Sequence, residues 1–190
     1  MGGRCRKTQR LRGRAALCLA ILALLGCGKQ QPVGLDLPST ALPGQAGPLL
    51  EMDAETVAAD APDPAELMGV LEDAGFATGR ERTWTDPERA RRAVVRVLGF
   101  GTPEGAASYL AWLRGHADDV IGTSRETTAL ELPSPSFLAV HEPSGCCPKE
   151  TRTYLAAWRE GTRVIWIQVG GRHPRRRDAQ ELAAALDAAV

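Results

Sequence analysis

Two adjacent cysteines beside a histidine are the sharpest chemical feature of this sequence. The stretch at 141–150 reads HEPSGCCPKE, so it offers the imidazole of His141 and the thiols of Cys146 and Cys147. Thiolate and imidazole are soft ligands that suit Cu(I) or Zn²⁺. The same cysteines could instead form a disulfide, remain free thiols, or supply a nucleophile paired with His141. The motif therefore allows a metal site, redox chemistry or a rigid turn.

The covalent geometry of neighbouring residues ranks these alternatives. Disulfides usually join Cα atoms about 4.4–6.8 Å apart, but neighbours across a trans peptide are about 3.8 Å apart, so a Cys146–Cys147 bridge would be strained. Gly145 and Pro148 flank the pair and favour a tight turn. Structural zinc usually takes four ligands from spaced pairs, and a cysteine nucleophile needs an orienting group that the sequence does not show. We expect a vicinal disulfide; an intermolecular disulfide, free thiols and a metal site on His141, Cys146 and Cys147 are the alternatives.

Aromatic side chains are further candidates for a binding site. Tyr154 and Trp158 share one face of a predicted strand, and we expect Trp166 to lie near them across a hairpin. Core packing is the ordinary role of such a group, and an apolar ligand pocket is the alternative. Trp112 and His116 are four residues apart on a predicted helix, where they can stack, pack on the sheet, or line a ligand cradle.

Catalytic motifs are missing from the sequence. It contains no G-x-S-x-G elbow, no H-E-x-x-H pair, no glycine-rich phosphate loop and no second acid–histidine constellation. We therefore do not expect an enzyme, and no motif implies a cofactor.

The first 27 residues have the pattern of an export signal. Six basic residues and no acid lie in residues 1–14, and a short apolar run follows at 15–25. The run ends in Leu24-Leu25-Gly26-Cys27, which resembles the lipobox of bacterial lipoproteins. The resemblance implies a signal peptide at 1–26, lipidation of Cys27 and anchoring to a membrane. An uncleaved anchor helix, or an ordinary signal with a chance cysteine, is the alternative.

Removal of this leader changes both charge and thiol content. The full chain has 23 basic and 23 acidic residues, and six basic ones lie in the leader, so 17 basic residues would face 23 acidic ones. An acidic protein argues against nucleic acid as a partner, because phosphate contacts need clustered positive charge. RHPRRR at 172–177 is expected to be solvated charge, with contact to anionic lipid or wall phosphate as the alternative. Cys5 and Cys18 would leave with the leader and Cys27 would be lipidated, so Cys146 and Cys147 would be the cysteines that remain for thiol or disulfide chemistry.

Composition divides the mature chain into a linker and one domain. Residues 27–62 are rich in Pro, Gly and Ala and contain no aromatic residue, so we expect a lipidated cysteine followed by a flexible linker. Within it, 49–61 could form a helical turn or a short strand. All nine aromatic residues lie between Phe76 and Trp166, so we expect a single domain over 63–190.

Capping signals and periodicity predict three helices and five strands in that domain. Helices are predicted after Asp63-Pro64, after Thr102-Pro103 and from a capping box at Asp178. Strands are predicted at 75–85, 91–100, 136–142, 151–159 and 162–171. The last of these is nearly continuously apolar, which is typical of a central strand covered on both faces. The order predicts an α+β fold, a single antiparallel-rich sheet with helices packed on it in two layers.

Two stretches resemble a known family. The pattern AGF..G..R.W at 74–84 and the segment FGTPEGAASYL at 100–110 are similar to parts of small exported actinobacterial lipoproteins, including those likened to PsbP-type folds. The resemblance implies a binding or envelope-associated module. We expect a membrane-anchored extracytoplasmic lipoprotein whose non-catalytic domain binds a ligand or protein partner at the cell envelope. The alternatives are a thiol redox or metal-handling protein that uses Cys146 and Cys147, and a structural envelope component.

Overall fold

The structure, a computed structural model, describes residues 35–127, 131–132, 135–143 and 152–190. Its strands are β1 (Gln45–Ala46), β2 (Leu50–Met52), β3 (Phe76–Asp86), β4 (Arg91–Phe100), β5 (Ser124–Glu126), β6 (Ser136–His141), β7 (Thr153–Glu160) and β8 (Arg163–Gly171). Its helices are α1 (Ala54–Ala59), α2 (Pro64–Asp73), α3 (Pro103–Gly115), α4 (Ala117–Ile121) and α5 (Arg176–Asp187). Within these ranges, no helix has the length and apolar character needed to cross a membrane.

The strands form one antiparallel sheet. Their order is β1-β3-β4-β8-β7-β6-β5, and β2 also pairs with β3. Helices pack on this sheet, so the predicted fold class is confirmed. β8 lies between β4 and β7, and its successive side chains enter two different cores, as the continuous apolar run predicted.

Each face of the sheet has its own cover. We call one the α1–α4 face, where Leu98, Tyr109, Leu113 and Trp166 belong to the core between the sheet and the first four helices. We call the other the α5 face, where the core beneath α5 includes Trp158. The helices therefore lie on both sides of the sheet rather than in the predicted two-layer arrangement. A central strand that is apolar on both faces requires this, because each face must be shielded from water.

The boundary predicted at residue 62 is too late. The predicted flexible linker spans 27–62, but Leu35, Leu37 and Leu42 within it are buried under the α5 face. β1 and β2 extend the sheet beside β3, and the Trp84 indole Nε1–H donates to the Ser39 carbonyl at 3.1 Å. Aliphatic side chains and Met52 supply this burial without any aromatic residue. Residues 27–34 of the predicted linker and the signal peptide at 1–26 lie outside the described residues.

Local hydrogen bonds explain where the helices begin. Asp63 accepts from the backbone N–H of Ala65 and Glu66 at 3.1 and 3.0 Å, so α2 starts at the predicted residue. The hydroxyl of Thr102 caps α3 in the same way. α5 starts two residues before Asp178, whose carboxylate instead accepts from the Arg175 N–H at 2.6 Å. The prediction that Asp178 opens this helix was wrong. Arg175 is the N-cap residue, and Asp178 lies within the first turn, where its carboxylate accepts from the Arg175 N–H.

Candidate ligand-binding cleft

The predicted aromatic trio is divided between the two faces of the sheet. Tyr154 and Trp158 are buried in the α5-face core, whereas Trp166 belongs to the core of the α1–α4 face. The β7–β8 hairpin explains the separation. Its two-residue turn pairs Glu160 with Arg163, and the same register pairs Trp158 with Ile165. Because paired residues of antiparallel strands share a face, Trp166 points away from Trp158. The trio therefore cannot form one pocket.

The thiol motif lies mainly beyond the described part of the chain. Cys27, Cys146 and Cys147 are outside it, so the lipidation, the vicinal disulfide and the metal site stay predictions. His141 ends β6, and its Nδ1 lies 2.8 Å from the Thr123 carbonyl oxygen. Since a carbonyl only accepts, Nδ1 is the donor in this contact. Among the described residues, no group of three or more His, Cys, Asp or Glu side chains is placed to hold a metal ion.

A cleft of about 290 Å³ opens on the α1–α4 face of the sheet. Four helices and two strands contribute to it, so its walls come from widely separated parts of the chain. Its lining consists of Val57, Asp60, Ala61, Pro62, Leu67, Arg96, Tyr109, Trp112, Leu113, Asp119, Val120, Trp166 and Gln168. Apolar walls with a few polar groups are the usual composition of small-molecule sites, and the volume lies near their lower limit.

An aromatic ladder along α3 forms one wall of the cleft. Tyr109 stacks on Trp112 with ring centroids 6.0 Å apart, and Trp112 stacks on His116 at 4.5 Å. One carboxylate oxygen of Glu66 on α2 lies 3.4 Å from both the Trp112 indole nitrogen and His116 Nε2. The predicted stacking of Trp112 on His116 is therefore confirmed. α2 and α3 together hold the Trp112 ring against the cleft.

Arg96 on β4 forms the floor beside Trp166. Its guanidinium lies over the Trp166 ring at 5.0 Å from the centroid, within the range of a cation–π contact. Its Nε donates to Glu81 at 2.6 Å, and its Nη2 pairs with Asp60. Two carboxylates thus surround one guanidinium, so Arg96 leaves no net positive charge in the cleft.

Three polar groups in the lining have no partner among the residues that the structure describes. The Trp166 indole Nε1 is buried without a hydrogen-bond acceptor. The side chains of Asp119 and Gln168 likewise make no ion pair or hydrogen bond within the same residues. The neighbouring Asp118 differs, because the Ser124 hydroxyl and backbone N–H donate to it at 2.6 and 2.8 Å and lower its pKa. Asp119 is therefore the carboxylate of this pair that remains open to a ligand.

The Tyr109 hydroxyl is held neutral at the base of the ladder. Burial raises the pKa of Tyr109 to about 12, while the positive charge of Arg96 and the Trp166 indole act weakly in the opposite direction. The Trp166 N–H lies near enough to influence this pKa, but it does not meet the hydroxyl with hydrogen-bond geometry. Tyr109 thus contributes a neutral wall rather than a titrating group.

The α5 face has a smaller cavity of about 170 Å³. Its lining includes Trp84, Arg91 and Asp178, and its charged side chains face each other. Arg91 Nη1 lies 2.9 Å from Asp178, in a pair whose side chains are mostly buried, although Arg91 Nε has no partner in the described chain. Trp84 donates to Ser39. Most of the polar groups in this cavity are already satisfied by the fold, so it is the weaker candidate.

Two polar residues within apolar strands, Arg96 and Gln168, could have indicated the cleft from the sequence. Arg96 interrupts the apolar run of β4, and Gln168 interrupts the apolar run of β8. A polar side chain in a central strand must meet either a partner or a cavity, because an unsatisfied buried polar group is costly. Both side chains belong to the α1–α4 face, where the cleft lies. Nothing comparable in the sequence distinguishes Asp119, because it is one of two adjacent acids in the first turn of α4.

Among solved structures, one extracellular domain has a similar fold. The chain is similar to the extracellular domain of PknH from Mycobacterium tuberculosis, with a TM-score of 0.52 and 15% sequence identity, over 83% of this chain and 97% of that one. At this identity the similarity concerns the fold alone. No protein-family model and no curated protein matches the sequence.

Proposed function

We propose that this chain is an exported, lipid-anchored protein whose domain binds a small ligand in the cleft of the α1–α4 face. In this proposal the domain catalyses no reaction on the ligand. The ligand is held between the aromatic ladder of α3, the strand residues Arg96, Trp166 and Gln168, and the start of α4.

The unpaired polar groups of the lining carry the proposal. Buried polar groups in folded proteins are nearly always hydrogen-bonded, so an unpartnered group beside a cavity favours a ligand partner. Here that buried group is the Trp166 indole N–H, which offers a donor. The half-buried Gln168 amide and the exposed Asp119 carboxylate lie around the same cavity and likewise have no partner among the described residues. This combination gives orientation as well as affinity to a bound molecule.

The composition of the lining supports binding rather than catalysis. The residues that line the cleft include no Ser, Thr, Cys, Lys or His, so no nucleophile stands beside a base there. The His116 ring stacks behind Trp112, where Glu66 and a backbone carbonyl engage both of its nitrogens. The remaining titratable side chains are carboxylates, a paired arginine and a neutral tyrosine.

Export and anchoring are supported by the leader and by the fold. The basic leader, the apolar run and the lipobox-like Leu24-Leu25-Gly26-Cys27 are the pattern of a lipoprotein signal. The fold is similar to a domain described as extracellular in PknH. Replacement of Cys27 by Ser should move the protein from the membrane fraction to the soluble fraction. Cys18→Ser, which removes another leader cysteine, should leave it on the membrane; retention of Cys27→Ser on membranes would contradict anchoring.

The four tryptophans allow a direct test of ligand binding. Trp112 and Trp166 line the cleft, whereas Trp84 and Trp158 are buried on the α5 face. The nitrogen-labelled full chain, kept in a non-ionic detergent, can be screened by NMR against a fragment library with equal numbers of cationic, neutral and anionic members. We expect fragments that shift the indole signals of Trp112 and Trp166 and leave those of Trp84 and Trp158 in place.

A variant that fills the cleft provides the control. Val120 lines the cleft and is only half-buried, so Val120→Trp should abolish these shifts by occupying the space. Leu50→Trp adds the same ring at an exposed position of β2 and should leave the shifts unchanged. A library without any fragment that moves the Trp112 and Trp166 signals, or shifts that survive Val120→Trp, would contradict the proposed function.

A further inference from the structure

Two of the four helices that line the cleft, α1 and α2, lie in an acidic segment. Residues 53–73, which include α1 and α2, contain seven Asp or Glu residues and no Lys or Arg. The segment contributes Val57 of α1, Asp60 directly after α1, and Leu67 of α2 to the lining. A cleft whose wall carries one sign of charge concentrates counter-ions, because the low dielectric of the protein focuses the field.

The charges at the cleft itself have the same sign. Arg96 is the cation of the lining, and its guanidinium is paired with both Asp60 and Glu81. Asp119 adds a carboxylate without a partner in the described chain. Glu66 adds another behind Trp112. Four carboxylates therefore lie in or beside the cleft with one guanidinium, so the surplus of charge is negative.

Starting from the proposed function, we propose that the ligand is a protonated amine with an apolar or aromatic body. Its ammonium group pairs with the Asp119 carboxylate at the rim. Its apolar body packs against the walls formed by Leu67, Leu113, Val120 and the edge of Trp112. A neutral acceptor on the ligand meets the Trp166 indole N–H or the Gln168 amide, which have no partner among the described residues.

The alternative charge classes fit less well. An anionic ligand would have to displace Asp60 or Glu81 from Arg96, and it would meet the field of the acidic α1–α2 segment. A purely apolar ligand would leave Asp119 without a partner and bury Gln168 and the Trp166 N–H without compensation. An amine satisfies the carboxylate without disturbing the Arg96 pairs.

A matched series of probes separates these classes. Benzylamine, benzyl alcohol and benzoate share one ring and differ in the charge of a small substituent. Each is titrated into the labelled full chain in non-ionic detergent, with the Trp112 and Trp166 indole signals as the readout. We expect benzylamine to bind roughly tenfold more tightly than benzoate, with benzyl alcohol between them, and the preference to shrink as salt is added.

Two variants assign the preference to Asp119. Asp119→Asn should weaken benzylamine roughly three- to tenfold and leave benzyl alcohol unchanged, because only the charge is lost. Glu88→Gln removes one exposed acid of the β3–β4 turn, away from the cleft, and should change neither affinity. Unmoved Trp84 and Trp158 signals in each variant report that the fold is intact.

The outcomes distinguish this inference from the proposed function. If benzoate or benzyl alcohol binds at the cleft as tightly as benzylamine, the amine class is overturned while ligand binding stands. If Asp119→Asn leaves the benzylamine affinity unchanged, the assignment to Asp119 is overturned. If none of the three probes moves the Trp112 and Trp166 signals, the amine class falls, and the fragment library decides separately whether the cleft binds ligands.

Discussion

The two faces of the sheet contain two tryptophans each and use them differently. On the α5 face, Trp84 donates to a backbone carbonyl and Trp158 is fully buried in the core. On the α1–α4 face, Trp112 and Trp166 line a cleft. The Trp158 N–H also lacks a partner in the described chain, but Trp158 lines neither of the two cavities discussed above. An unpartnered indole therefore suggests a ligand only when it borders open space.

The contrast arises from what covers each face. Residues 35–42 and helix α5 close the α5 face with Leu and Ala side chains. The α1–α4 face is covered by four helices, and two of these, α4 and α1, are only five and six residues long. Short helices leave gaps between their ends, and the cleft lies where α1, α3 and α4 meet the sheet. The α5 face is thus closed by packing, whereas the α1–α4 face keeps an open cleft beside its core.

The largest effect is expected where the α5 face is closed by the N-terminal segment. Leu37 is fully buried there, so Leu37→Ala should lower the free energy of unfolding by about 2–5 kcal/mol. Leu50→Ala, at a half-exposed position of β2, should change it by less than about 0.5 kcal/mol. Urea unfolding measures both. A loss below about 0.5 kcal/mol for Leu37→Ala would mean that residues 35–42 are not part of this core.

A smaller effect is expected from the ion pair on the same face. Asp178→Asn leaves the guanidinium of Arg91 without its carboxylate in a mostly buried site and should cost about 1–3 kcal/mol. Glu181→Gln, on the same helix, breaks an exposed pair with Arg177 and should cost less than about 0.5 kcal/mol. Equal losses for the two variants would contradict the distinction between a buried and an exposed pair.

The buried hydroxyl of Tyr109 predicts an effect confined to alkaline pH. Because its pKa in the folded protein, about 12, exceeds the ordinary value of 10, its burial stabilises the fold fully below pH 10. That contribution is lost as the pH rises from 10 towards 12. In Tyr154→Phe, Tyr109 is the remaining tyrosine, so tyrosinate absorbance reports it alone. A midpoint near 10 while the fold is intact would contradict the burial.

The smallest effect on stability is expected at Asp119. Its side chain is exposed and has no ion pair or hydrogen bond among the described residues, so Asp119→Asn should change the free energy of unfolding by less than about 0.5 kcal/mol. Asp178→Asn makes the same chemical change on the other face and serves as the comparison. A loss as large as that of Asp178→Asn would show that Asp119 has a structural partner, and would weaken its assignment to a ligand.

The sequence predicted the elements whose signals are local. The capped helices after Asp63 and Thr102, the strand at 91–100 and the two-faced strand β8 all follow from neighbouring residues. Burial of Leu35 and Leu37 was not predictable in this way, because it depends on a surface that distant strands and α5 create. The split of Trp158 from Trp166 depends on the length of one turn, which sets the register of a whole hairpin. The cleft was missed because its lining converges from four helices and two strands.

A structure of the chain bound to its tightest-binding fragment would show where the ligand lies and which group it pairs with. We expect the fragment in the cleft of the α1–α4 face, with a cationic group at hydrogen-bond distance from the Asp119 carboxylate and its apolar part against Trp112 and Leu113. The Trp84–Arg91 cavity of the α5 face should stay unchanged. A fragment bound in that second cavity, or an anionic group paired with Arg96, would contradict ligand binding by an amine at Asp119.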